Sequence, residues 1–106
     1  DFYREALSER IAARLPFWEE RTGLHPSAWQ IKNMKTRWGT CNTATRKIWL
    51  NLQLAKQPPV CLDYVIAHEL THLRYPGHGQ DFQAFLTRAM PNWPEVRKAL
   101  NNQTFV

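Results

Sequence analysis

Residues 64–82 read YVIAHELTHLRYPGHGQDF, and the fold and chemistry of the chain turn on how that stretch is read. It contains His68, Glu69, Leu70, Thr71 and His72, the pattern H-E-x-x-H, and a further histidine, His78, after Pro76-Gly77. Side chains four residues apart share one face of an α-helix. His68 and His72 can therefore offer two imidazole nitrogens to one metal ion. Glu69 is turned about 100° from His68, where it can reach a metal-bound water without being a ligand. Pro76-Gly77 stops the helix, and a tight turn there can return His78 as the third ligand. Three protein ligands with one position left for water is the catalytic zinc pattern, whereas structural zinc sites are closed. In that pattern Glu69 is the general base that takes the proton of the water.

H-E-x-x-H alone also arises by chance, and its histidines can be satisfied core residues. Here three of the four histidines in the chain fall within one stretch, which favours a ligand cluster. The fourth, His25, stands in a loop-like segment and reads as a surface or capping residue. Asp81 is the rival third ligand, although an acid at a helix start is explained by the dipole alone. Tyr64, Tyr75, Arg74 and Arg37 are candidates for stabilising an oxyanion. Arg37, Trp38 and Tyr75 are the candidate substrate-binding residues.

Outward from the motif, the helix starts near Pro59 and is expected to run to about Tyr75. Leu62, Val65, Ile66, Leu70 and Leu73 leave only a narrow polar edge at Asp63 and Arg74. A helix apolar on nearly every side is a buried one. Burying His68, Glu69 and His72 without partners is costly, and a metal would satisfy all three together. Ahead of it, Leu7, Ile11 and Leu15 recur at helical spacing over 2–15. Pro16 either kinks that helix or begins another. Phe17, Trp18 and Leu24 extend its apolar face, and Gly23 stops it. Residues 28–34, 37–41 and 47–52 read as three strands, the last two joined by the polar turn NTATR as a hairpin. Gly39 within a strand pattern predicts a bulge or a close backbone approach. After the motif, helices are expected over 80–90 and 94–100, with Phe82, Phe85, Leu86 and Ala89 as one stripe and Val96 and Leu100 as another. Residues 101–106 read as a fraying tail.

A chain of 106 residues fits one domain, here 1–106. No apolar run approaches the roughly 20 residues of a membrane span, so neither a membrane partner nor a secretory leader is expected. Cys41 and Cys61 make no disulfide framework and read as free thiols, pointing to the cytoplasm. The net charge is +5 and the pI about 9.6. Lys32, Lys35, Arg37, Arg46 and Lys47 concentrate locally; an ordinary solvated surface is the favoured reading and a nucleic-acid patch the alternative.

Several segments together carry a resemblance. MKTRWGTC at 34–41, followed by IWLNLQLAKQPPVCLDYVIAHELTHLRYPGHGQDFQAFLTRAMPNW at 48–93, resembles the YgjP-like metal-dependent hydrolases, a family grouped with the zinc metallopeptidases. That family's pattern is K-S-R-W-G-S-C, an I-x-L-N strand, D-Y-V-x-x-H-E-L-x-H-L, an N-H-S-like turn and a phenylalanine. The resemblance covers about residues 30–100, with the SprT-like proteases as more distant kin. It implies an α+β fold with a zincin-like core. About three strands form a small, mostly antiparallel sheet against an N-terminal helix, the buried motif helix and C-terminal helices. It implies His68, His72 and His78 as metal ligands and Glu69 as the catalytic acid/base. Two departures stand out: the turn reads P-G-H-G, and the β-rich region usual ahead of the first helix is expected to be lacking. Zn²⁺, one per chain, is the expected cofactor, with Ni²⁺ or Co²⁺ as possible substitutes. The function expected is a zinc metallopeptidase acting on a polypeptide or small-molecule substrate. The alternatives are a metal-dependent phosphoanhydride hydrolase using Arg37, Lys35 and Lys47, and a non-enzymatic, metal-stabilised module that binds nucleic acid or protein.

Overall fold

The structure, a computed structural model, describes residues 1–102. Its elements are α1 (Phe2–Thr22), β1 (Ala28–Lys32), β2 (Gly39–Asn42), β3 (Lys47–Asn51), a 3₁₀ turn (Leu52–Lys56), α2 (Pro59–His72), α3 (Gln80–Ala89) and α4 (Trp93–Asn101).

α1 opens on Asp1, whose carboxylate accepts the backbone N–H groups of Tyr3 and Arg4, and closes on Gly23 at φ 73°. That left-handed conformation carries a steric penalty for side-chain-bearing residues and none for glycine. Pro16 does not divide the helix; it lies inside one continuous element. Proline removes one intrahelical hydrogen bond, and burial of Leu15 and Trp18 on either side of it holds the two halves in line. Leu7, Ile11 and Leu15 face the core as expected, but Phe17 does not extend that face and points to solvent, beneath the Arg14 guanidinium.

The three strands form a mixed sheet in the order β1–β3–β2. The hairpin pair β2–β3 is antiparallel, with Thr40 opposite Trp49 and Gly39 opposite Leu50. β1 runs parallel to β3 in the register Ile31 to Leu50, since the link from β1 passes across the sheet end before β2 begins. β2 is thus an edge strand. The expected strands start or end a residue or two differently, and the 3₁₀ turn after β3 was not anticipated. Asn51 explains that turn: its side chain accepts Gln53 N–H and caps it. The same amide, fully buried, donates to the carbonyls of Met34 and Arg37, while the backbone N–H of Asn51 donates to Trp38. One asparagine therefore fastens the 33–38 loop that delivers Arg37, Trp38 and Gly39.

α2 lies at the centre, in contact with α1, α3, α4, β2 and β3. Pro59 stands at its first turn, where the missing N–H removes no intrahelical bond. It ends at His72, one turn earlier than the sequence pattern implied. Asp63 locks it to α1 by accepting from Arg14 Nε and Trp18 Nε1, both at 2.8 Å. Phe82 and Leu86 of α3 and Val96 and Leu100 of α4 complete the core. The tail from 103 onward lies outside the described residues.

Candidate metal centre

The end of α2 and the turn after it bring His68, His72 and His78 together. One ligand atom from each lies within 4.8 Å of the others, and the ring centroids are separated by 4.9, 5.2 and 4.5 Å. The turn holds the second ring itself. His72 Nδ1 sits 3.2 Å from the Tyr75 carbonyl and 3.1 Å from that of Pro76. Carbonyls only accept, so Nδ1 carries the proton there and Nε2 is left with its lone pair. A backbone carbonyl on the far nitrogen is the usual support for a ligating histidine. Phe82, on the first turn of α3, packs against all three rings at 5.1, 4.7 and 4.9 Å. It is a plate that sets their mutual positions.

Glu69 is buried, 4 % exposed. Its Oε2 lies 3.1 Å from His68 Nδ1, and no lysine or arginine forms a salt bridge with it among the described residues. Gly39 makes room for it: a Cβ there would stand 3.1 Å from Glu69 Oε2 and 2.7 Å from Val65 Cγ1. The close approach read from Gly39 is therefore the approach of β2 to the motif helix. Desolvation within the cluster lowers the pKa of half-buried His72 and of His78, which stays largely exposed to solvent, reinforced by the neighbouring histidines, with Glu69 opposing. Both effects favour neutral imidazole, the form a metal needs. Three clustered neutral nitrogen donors beside a buried carboxylate fit a divalent cation of zinc type.

Three cavities open around the histidines. The first, about 250 Å³, is lined by Arg37, Trp38 and Gly39 on one side and His68, Glu69 and His78 on the other. A second, about 270 Å³, runs along β2 past Thr40 and Cys41 to His72. Burial, then the Glu69 carboxylate, pushes the Cys41 thiol up to about 11. The third, about 240 Å³, lies on the other flank between Tyr64, Phe82 and Trp93.

Of the residues expected at the site, His68, Glu69, His72, His78, Arg37 and Trp38 come together. Tyr75 does not reach these three cavities. It packs edge-on against Phe85 and takes a hydrogen bond from exposed Arg74, beside a separate depression that includes Asp81. His25 pairs with Glu19 at the surface. Arg97, Trp93 and Gln83 were missed, as was the contact of Phe82 with the histidine rings. Arg97 lines the same cavity as Tyr64 and its charge favours the phenolate, but burial outweighs it and pushes that phenol up to about 12. Phe82 was legible only as part of a core stripe, and nothing in the sequence ties α4 to the motif.

A family model described as "YgjP-like, metallopeptidase domain" matches residues 1–103. Among solved structures, the chain is similar to the metallopeptidase zymogen of Pyrococcus abyssi abylysin. The identity is 16%, the TM-score 0.78, and the match covers 91% of this chain and 99% of that one. It is also similar to the zymogen of Methanocaldococcus jannaschii jannalysin, at 21% identity and TM-score 0.74, covering 87% and 88%. At these identities the likeness is one of fold, a zincin-like α+β architecture. No curated protein matches.

Proposed function

The chain belongs to the YgjP-like metallopeptidase family, and from that premise we propose that it is a zinc-dependent peptidase whose ligands are His68, His72 and His78 and whose general base is Glu69. The observation that carries this reading is the meeting of three histidine donor atoms within 4.8 Å beside a buried glutamate. A structural site has no use for that carboxylate. A zinc ion bound there supplies a Lewis acid that polarises a peptide carbonyl and makes water a stronger acid. Glu69 holds the proton given up by water on its carboxylate and passes it to the leaving amine. His72 is kept in one tautomer by the turn carbonyls. Phe82 keeps the three rings in register, and the buried floor of α2 excludes bulk water from the base.

The open edge of β2 supports a polypeptide substrate laid alongside it by strand addition, with Arg37 and Trp38 at its entry. The whole chain, 1–106, then acts as one zincin-like domain. Its two free thiols support a reducing compartment, which we take to be the cytoplasm. Lys35 and Lys47 line none of the three cavities at the histidines, and Lys47 is occupied by Gln30 and Trp49. A phosphoanhydride substrate therefore gains no support from them.

The test is hydrolysis of unfolded protein and of nucleoside triphosphates by purified, zinc-loaded protein and by Glu69→Gln. Peptide cleavage in the parent should fall by roughly 10²–10⁴-fold in the variant, with zinc stoichiometry unchanged. Turnover of the triphosphates alone, or cleavage that survives the substitution, would overturn the assignment.

A further inference from the structure

The cavity on the α3–α4 flank has a composition unlike the other two. His68 and His78 form its inner wall, the rings of Tyr64, Phe82 and Trp93 form its apolar lining, and Gln83 and Arg97 supply its other polar groups. Trp93 stacks parallel to Tyr64 at 6.5 Å. The indole N–H is already given to Thr87, and the Gln83 amide to the His78 carbonyl. Histidines aside, Arg97 is the one charged residue among the described residues that line this cavity. It forms no salt bridge with a carboxylate among them. It also lines the cavity that holds Glu69 and Gly39, so together with Tyr64 it stands at the border between the two.

We propose that Arg97 anchors a substrate carboxylate: the residue next to the bond being cut seats its side chain between Phe82, Trp93 and Tyr64, and its carboxylate pairs with the Arg97 guanidinium. Three observations converge on this. The volume, about 240 Å³, lies below the roughly 300 Å³ at which pockets for drug-sized ligands begin, so it suits one residue. Its wall is aromatic, which suits a large apolar side chain. Its cation, which has no carboxylate partner among the described residues, is a planar fork matched to a carboxylate and shares both cavity walls with Tyr64. The carboxylate can be the chain terminus or an acidic side chain. Both present the same group to Arg97, but an aromatic pocket suits the terminal carboxylate of a large apolar residue. Arg97 is here a specificity residue. The proposal rests on the peptidase reading only for the meaning of the pocket, since the binding itself is measurable without turnover.

The experiment is titration of the protein with N-acetylphenylalanine and with its amide, followed by tryptophan fluorescence and calorimetry. A second pair, N-acetylglutamic acid α-amide and N-acetylglutamine α-amide, separates the side-chain source from the terminal one. Each titration is run on zinc-loaded and on chelator-treated protein, because a metal ion can itself attract a carboxylate. A charge-assisted hydrogen bond predicts that at least one acid binds about tenfold or more tightly than its amide, in both forms. That ratio should fall to about one in Arg97→Gln and be partly kept in Arg97→Lys. Equal binding of acid and amide by the parent, no binding of either pair, or a preference that survives Arg97→Gln in the metal-free protein overturns the proposal. The Glu69→Gln cleavage assay reports separately on the peptidase reading.

Discussion

At the scale of single residues, the site depends on a missing side chain as much as on those present. Gly39 lets β2 lie against the motif helix, and a methyl there would meet Val65 Cγ1 at 2.7 Å and Glu69 Oε2 and the Trp49 carbonyl at 3.1 Å. The 2.7 Å contact forces Val65 or the β2 backbone to shift, and Glu69, one helical turn from Val65 and itself at 3.1 Å, must give way with them. Gly39→Ala is expected to destabilise the fold by about 1–3 kcal/mol through overpacking, read by denaturant titration. It should lower the peptidase rate further than that loss of folded protein explains, because the base is displaced. Cys41 offers an independent probe of the same carboxylate. A thiol raised from 9.0 to about 11 has roughly a hundredfold less thiolate at pH 8, and the thiolate is the nucleophile. Iodoacetamide labelling of Cys41 should be slower in the native state by about that factor. Labelling should quicken in Glu69→Gln, where the repulsive charge is gone. The sign of the linked stability follows. The folded thiol keeps its proton where the unfolded one has lost it, so this contribution is present below pH 9 and is lost as pH rises towards 11. The histidine triad and its glutamate were legible because helical spacing fixes them locally. Arg97 was not, since only tertiary packing brings α4 to the cluster.

At the scale of elements, two polar side chains hold the pieces that carry the site. Asn51 caps the 3₁₀ turn and binds the 33–38 loop through four hydrogen bonds of its side chain. Asn51→Ala leaves the Met34 and Arg37 carbonyls without that donor in a buried setting. The expected cost is about 1–3 kcal/mol, seen as a lower urea midpoint. The loop should also gain faster hydrogen exchange, and Arg37 and Trp38 would lose their place at the cavity. Asp63 plays the matching part between α1 and α2, by accepting from Arg14 and Trp18. The sequence pattern was sufficient for the existence and type of every long element, because burial imposes its period on each. It was insufficient where two local outcomes were equally open. Pro16 suits a helix start or a helix interior alike, and burial of Leu15 and Trp18 decided for the interior. The pairing of β1 was likewise open, since a strand's own alternation says nothing about its neighbour's direction. The Asn51 cap was readable in principle, as asparagine followed by a turn is a capping signal.

At the scale of the molecule, the candidate centre ties the central helix to the exposed turn that follows it. His68 and His72 come from the central helix, His78 from the turn after it, and Phe82 from the start of α3. The three exposed residues Pro76, Gly77 and His78 form a turn with little burial of its own. A ligand that binds only the folded arrangement stabilises it by mass action, by about 2.7 kcal/mol at a hundredfold excess over Kd. For a chain of this size each kcal/mol moves Tm by roughly 4–8 °C. Zinc at that excess should therefore raise Tm by on the order of 10 °C, and a chelator should reverse the rise. His72→Gln should abolish the shift, because it removes a donor while keeping a side chain of similar reach. Glu69→Gln should retain it, because Glu69 is assigned to the proton and not to the ion. A shift of equal size in both variants would mean that zinc binds elsewhere, and loss of the shift in both would make Glu69 part of the ligand set. The contrast between the two substitutions thus separates holding the ion from using it. That is the distinction the H-E-x-x-H spacing encodes, with two residues on one helical face and the third turned about 100° from the first.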